Sequence, residues 1–128
     1  MEIDEKRTLI ERQYAIIERS KRLDLRSSPF FVIWDFYSEW DCSGLASALS
    51  RVDKSSSSIL LTTMASIGLV DDLCIVQRAF SLGSFTNSRD RYNISTDAND
   101  YIITVDQFDM DSVINSVYDK LVVNKVYP

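Results

Sequence analysis

Apolar residues recur at helical spacing in the first part of the chain. Over residues 4–24 they alternate with charged residues in the pattern of an amphipathic helix. These apolar positions are Leu9, Tyr14, Ile16, Ile17 and Leu23. Ser28 and Pro29 then form a helix start, and the aromatic run FFVIWDFY after them predicts a buried helix over about 29–38.

The next part of the chain predicts two helices joined by a tight turn. The capping signal at 41–43 precedes the string LASAL, which predicts a short helix over about 43–50. Asp53 is the cap of a longer helix that stops at Gly68. A short helix, a tight turn and a longer helix together form a helix-turn-helix motif.

A β-hairpin is predicted to follow the longer helix. The segment 69–82 is rich in β-forming residues and predicts a strand. Residues 83–90 are polar and predict a turn, and 91–95 predict the return strand. A hairpin at this point of the chain has the position of a wing.

Two helices are predicted to complete the chain. One is capped at Thr96 or Asp97, and the other is amphipathic and covers about 106–123. Three glycines and two prolines in 128 residues favour helices with short connections. The length fits one domain, 1–128.

The sequence also predicts the cellular location of the protein and the redox state of its cysteines. No apolar run is long enough to span a membrane, and the charged N-terminus lacks the apolar core of a signal peptide. We therefore expect a cytoplasmic protein with no membrane partner. In that reducing compartment Cys42 and Cys74, which have apolar neighbours, are expected to be small core residues without a disulfide.

The charge of the chain argues against a strongly basic nucleic-acid binder. The net charge is −5 and the sequence pI is about 4.6. Much of the acidity lies in residues 97–128, which carry two lysines and six aspartates. The centre of the chain is closer to neutral, so it can still present a local basic edge.

Enzymatic, metal-binding and cofactor-binding functions are not predicted. The chain has no histidine, only two distant cysteines and no glycine-rich phosphate loop. Carboxylates at 71–72 and at 106, 109 and 111 are the remaining choice for a divalent cation, but a solvated helix surface explains them more simply. We therefore expect no catalytic residue, no metal and no cofactor.

Four short strings resemble the MarR-type (multiple-antibiotic-resistance regulator) proteins. DKSSSSILLTTMASIGLVDD, at 53–72, is similar to the family pattern D-K-S-T-x-S-x-L-L-x-x-L-x-x-x-G-L-V without a gap. LASAL, at 45–49, looks like the E-L-A-x-x-L helix. SPFFVIWDFY, at 28–37, looks like a helix of an alphaproteobacterial subgroup, and ISTDANDYI, at 94–102, resembles the junction after the wing.

The resemblance implies a fold, partners and a function. The fold is mostly α with a small β-hairpin wing: a winged helix-turn-helix core over 28–102, flanked by dimerisation helices at 1–26 and 106–123. The implied function is that of a transcriptional regulator that binds double-stranded DNA, as a homodimer on a pseudo-palindromic site. The family often binds a small-molecule effector; aromatic residues that can line such a pocket, or simply form core, are Tyr14, Trp34, Tyr37 and Trp40.

The resemblance also selects the residues that face DNA. The exposed face of the longer helix maps to Ser55, Ser56, Ser58, Ile59, Thr62 and Thr63, with Lys54 at its start. Leu60, Leu61, Met64 and Ile67 are expected in the core. In the wing, Arg89 and Arg91 are the expected DNA contacts, with Asn87 and Arg78 as further choices. The predicted DNA-binding set is Lys54, Ser55, Ser56, Ser58, Thr62, Arg89 and Arg91.

Each of these features has a plainer interpretation. A serine run is also what a capped, solvated helix start looks like, and an arginine-bearing turn can serve solubility alone. The family often has arginine where this chain has Ile59, Thr62 and Thr63, so few counterions would be released on binding DNA. The alternative hypothesis is an acidic winged-helix adaptor or antagonist that binds another protein instead of DNA.

Overall fold

The computed structural model describes residues 1–83, 85–88 and 91–123, with the backbone alone for 85–88 and 91–94. The α-helices are α1 (Ile3–Arg19), α2 (Pro29–Ser43), α3 (Leu45–Ser50), α4 (Lys54–Ser66), α5 (Val70–Leu82), α6 (Thr96–Val105) and α7 (Met110–Val117). A 3-10 turn, Leu25–Ser27, precedes α2, and a π-helical turn, Tyr118–Val122, continues α7. The strands are β1 (Phe85–Ser88) and β2 (Arg91–Ile94).

Helix α2 forms the centre of the hydrophobic core. Ser28 caps it, since its Oγ accepts a 3.3 Å hydrogen bond from the Phe31 amide, and Pro29 occupies the first turn. The ring of Trp40 stacks on Tyr37 at 5.7 Å between centroids and contacts Phe108, from the α6–α7 linker, at 4.6 Å. The predicted buried helix is therefore confirmed, and it extends beyond residue 38.

The two terminal helices pack on each other within the chain. Ile10 and Ile17 of α1 are fully buried, where α1 contacts α2, α7 and the π-helical turn. Lys6 Nζ donates to Asn115 Oδ1 at 2.9 Å and pairs with Asp119 at 3.2 Å. Of the apolar stripe predicted for this segment, Ile17 is buried, whereas Ile16 and Leu23 are 50% and 74% exposed. Dimerisation through the terminal helices stays a prediction.

The segment 69–82, predicted as a strand, is instead the helix α5. Its buried residues, Val76 and Ala79, are three apart, and the exposed positions 74, 77, 78 and 81 also recur at helical spacing. Asp71 and Asp72 lie in its first turn, where the helix dipole favours negative charge. The strand prediction was wrong because the buried and exposed positions of this segment follow the period of a helix, despite its β-forming residues.

The predicted winged helix-turn-helix fold class is wrong, although its mostly α-helical character fits. A hairpin is present, but it pairs Phe85 with Ile94 in two strands of four residues each, and α5 separates it from α4. It contacts α3. No strand lies in the segment assigned to the first half of the wing, and apart from β1 and β2 the regular structure of the described residues is helical. The winged helix-turn-helix is replaced by a helical fold with one short hairpin.

Helices α3 and α4 are joined by the turn 51–53, as the sequence predicted. Gly44, at φ +97°, ends α2 and begins α3, so residues 41–43 belong to α2 and do not cap α3. Asp53 caps α4, and Gly68, at φ +84°, follows its end. Ser95 caps α6 and Asp109 caps α7, so the last helix begins at Met110 and not at 106.

The two cysteines are not core residues. Both side chains are exposed, Cys42 near the end of α2 and Cys74 on the outer side of α5, and both are free thiols. The prediction that they form no disulfide is confirmed, while the prediction of burial is wrong. In the described part of the chain, no helix combines the length and the apolar character that crossing a membrane requires.

Candidate functional site

The outer face of α4 carries four of the predicted DNA-contacting residues. Lys54, Ser55, Ser58 and Thr62 are all exposed. The opposite face is core, with Leu60, Met64 and Ile67 buried and Leu61 half-buried. Thr63 is only 4% exposed, which corrects its placement on the outer face.

Asp53 caps α4 through hydrogen bonds with the serines of its first turn. Its Oδ1 accepts hydrogen bonds from the Ser56 amide at 2.8 Å and from the Ser55 hydroxyl at 2.7 Å. The Asp53 amide in turn donates to Ser56 Oγ at 3.1 Å, which completes a reciprocal capping box. These hydrogen bonds, those of the Ser55 hydroxyl first, lower the pKa of Asp53. Ser55 and Ser56 therefore have a structural role at the helix start.

The wing arginines fall outside the side chains that the structure describes. Arg89 lies outside the described residues, and Arg91 is described by its backbone alone, as the first residue of β2. Asn87 likewise has only its backbone described, in β1. Arg78, the further choice, is exposed on α5 and not on a strand.

A cleft of about 260 Å³ opens beside the start of α4. Its walls come from the 3-10 turn before α2, from α2, from the end of α3 and from α4. Its apolar lining includes Phe31, Phe36 and Ile59. Its charged lining is Arg26, Asp35, Glu39, Arg51 and Asp53. Sequence reasoning selected none of these charged residues as site residues, because their proximity depends on how α2 packs against the α3–α4 turn.

Arg51 joins two carboxylates of α2 across this cleft. Its Nη1 donates to Glu39 Oε1 at 2.8 Å, and its Nη2 lies 3.5 Å from Asp35 Oδ1. Asp35 also accepts a 2.6 Å hydrogen bond from the Tyr14 hydroxyl, and Glu39 accepts one from Ser47 Oγ at 2.9 Å. The network thus connects α1, α2, α3 and the turn before α4.

The network shifts the pKa of two of its members, Tyr14 and Glu39. Burial and the neighbouring Asp35 raise the pKa of Tyr14, so the phenol stays protonated and keeps donating. Burial acts to raise the pKa of Glu39 as well, but hydrogen bonds from serines and the charge of Arg51 outweigh it and the pKa is lowered. The glutamate is therefore a carboxylate at neutral pH.

Three of the four residues considered for an effector pocket are core. Trp34, Tyr37 and Trp40 are each at most 3% exposed. Tyr14 is half-buried and stacks on Phe31 at 4.6 Å between ring centroids. The plainer interpretation, packed core aromatics, describes the first three, and an effector stays a prediction.

Acidic residues gather around the first turn of α5. Asp71, Asp72 and Asp109 line a shallow surface depression there, while Asp106 lies elsewhere and accepts hydrogen bonds from Trp40 Nε1 at 2.8 Å and the Leu45 amide at 2.9 Å. In the part of the chain that the structure describes, no group of three or more potential metal ligands comes together. These aspartates give no support for a cation site.

Comparison with known proteins found no matching family model, no similar curated protein and no similar solved structure. The resemblance of residues 28–102 to MarR-type regulators therefore stays a prediction from short sequence motifs.

Proposed function

We propose that the protein is a transcriptional regulator that binds double-stranded DNA with the outer face of α4. The observation that carries this proposal is the row formed by Ser55, Ser58 and Thr62, exposed on the side opposite buried Leu60 and Met64. Short hydroxyl side chains bond both phosphates and base edges, and they let a helix approach the major groove closely.

The charge around α4 sets the expected strength of binding. Lys54 is the first residue of the helix, and the chain as a whole carries a net charge of −5. Few phosphates are neutralised by one copy, so binding is weak at physiological salt. We therefore propose that two copies bind the half-sites of a pseudo-palindromic site together.

Selection of bound duplexes from a random pool at low salt, followed by fluorescence anisotropy on the enriched sequence, tests this function. Lys54→Ala is expected to weaken binding to all duplexes similarly and to reduce the salt slope by about 1. The double variant Ser58→Ala with Thr62→Ala is expected to relax sequence preference instead. Lys21→Ala, an exposed lysine outside the helices, is the matched control. If the wild-type protein retains no duplex at low salt, the proposal is wrong.

A second proposal is that the protein is an acidic adaptor that binds another protein. The cleft favours it, because its lining combines apolar residues with three carboxylates against two guanidinium groups. The partner that fits is a basic segment with apolar side chains. Ile59→Lys would place a positive charge in the apolar lining and is expected to abolish binding of such a partner. A pull-down that recovers only the protein itself would count against this function.

A further inference from the structure

Arg51 lies close to the start of α4, where a cation can help that helix to bind a DNA phosphate. It lies in the turn 51–53, two residues before the cap of α4 and three before Lys54. Its side chain is 47% exposed, so the guanidinium group can reach solvent. Guanidinium groups bind phosphate in a bidentate manner, which makes arginine the preferred side chain for this task.

The same guanidinium is engaged by the protein itself. Glu39 holds it at 2.8 Å and Asp35 lies at 3.5 Å, and both carboxylates project from α2. The Asp35 and Glu39 side chains, at 31% and 17% exposed, are fixed by hydrogen bonds from Tyr14 and Ser47. The carboxylates are therefore held by further hydrogen bonds, while the arginine is the most exposed of the three side chains.

An ion pair with one partner half-exposed is weak enough to be exchanged. Exposed ion pairs of this kind change a folding equilibrium by only about two- to fivefold. A DNA phosphate beside the first turn of α4 offers the same guanidinium an anionic ligand that can accept two parallel hydrogen bonds. Exchange from Glu39 to phosphate is thus feasible without unfolding any element.

We propose that Arg51 binds a DNA phosphate next to α4 and that Asp35 and Glu39 restrain it in the free protein. The ion pair is then an autoinhibitory contact that lowers affinity for DNA. The inference rests on the proposed DNA-binding function and adds to it a phosphate-binding residue and its restraint. Neither was selected from the sequence.

The test is a double-mutant cycle measured by anisotropy on a labelled mixed-sequence duplex of about 30 bp at about 50 mM salt. Arg51→Ala is expected to weaken binding and to reduce the salt slope by about 1, while Arg51→Lys keeps most of that slope. Glu39→Gln removes the charge, keeps an acceptor for Ser47, and is expected to tighten binding by about two- to fivefold. In the Arg51→Ala background the Glu39→Gln gain should vanish, because no guanidinium remains to be released. Thermal unfolding of each variant verifies that it is folded.

The outcomes separate this inference from the proposed function. If the wild-type protein binds the duplex but Arg51→Ala binds it with the same affinity and salt slope, the role of Arg51 is refuted and DNA binding stands. If Glu39→Gln tightens binding equally with and without Arg51, the gain comes from removing a negative charge near DNA, and the autoinhibitory contact is refuted. If no protein binds the duplex at low salt, both proposals fall.

Discussion

The hydroxyl of Tyr37 donates a 2.7 Å hydrogen bond to Oδ2 of Asp72, which joins the core helix α2 to the first turn of α5. Burial raises the pKa of Asp72, the bond from Tyr37 opposes that rise, and the charges of Asp71 and Asp109 add to it. A carboxyl group whose pKa is higher in the folded than in the unfolded chain contributes stability at low pH. That contribution is lost as pH rises through the folded pKa.

Asp72→Asn tests this relationship. The amide keeps an acceptor for Tyr37 but does not titrate. The free energy of unfolding of the Asp72→Asn variant, relative to that of the wild type, should therefore increase from about pH 4 towards neutral pH. Urea unfolding at a series of pH values measures the difference. Asp100→Asn, which changes an exposed carboxylate on α6, is the control. A difference for Asp72→Asn that stays constant with pH would contradict the prediction.

Asp106 ties the α6–α7 linker to the junction between α2 and α3. Its Oδ1 accepts from Trp40 Nε1 at 2.8 Å and from the Leu45 amide at 2.9 Å. Asp106→Ala leaves the buried indole N–H without its acceptor, so we expect a loss of about 1–3 kcal/mol in the free energy of unfolding. Asp106→Asn keeps an acceptor oxygen and should lose less. Urea unfolding followed by tryptophan fluorescence measures both variants, and equal loss in the two would exclude the acceptor role.

Asp53 should stabilise α4 through its capping box. Asp53→Ala removes the acceptor of the Ser56 amide and is expected to reduce the free energy of unfolding by about 0.5–2 kcal/mol. Asp53→Ser retains a capping oxygen and should remain close to wild type. Because the pKa of Asp53 is lowered in the folded chain, its contribution is present above the unfolded pKa and is lost as pH falls through the folded pKa. A full effect of Asp53→Ala that persists at low pH would argue against capping by the carboxylate.

The helices α2 and α4 could be predicted from the sequence because local signals specify them. Ser28 with Pro29 marks the start of α2, and Asp53 with Gly68 brackets α4. Capping residues and a glycine in the left-handed region act within one turn of chain, so no tertiary information is needed to recognise them. Leu60 and Met64, which the resemblance assigned to the core, are buried on the inner face of α4.

The errors arose where tertiary packing decides between two local preferences. Val76 and Ala79 lie in a segment with high β-propensity, yet the face that they share fits against neighbouring helices and fixes a helix. The candidate site depended on packing in the same way. Arg51 meets Glu39, 12 residues away, and Tyr14 meets Asp35, 21 residues away, and no local pattern marks either pair.

Thiol reactivity distinguishes the buried cysteines predicted from the sequence from the exposed cysteines in the structure. Cys42 and Cys74 are free and exposed, so each should react with a thiol reagent in the folded protein. A colorimetric thiol assay without denaturant should therefore count two thiols, and Cys42→Ser and Cys74→Ser should each count one. Because neither side chain fills the core, the double serine variant should unfold at nearly the same urea concentration as wild type. Reaction that appears only after denaturation would show that the thiols are buried, as their apolar neighbours in the sequence had suggested.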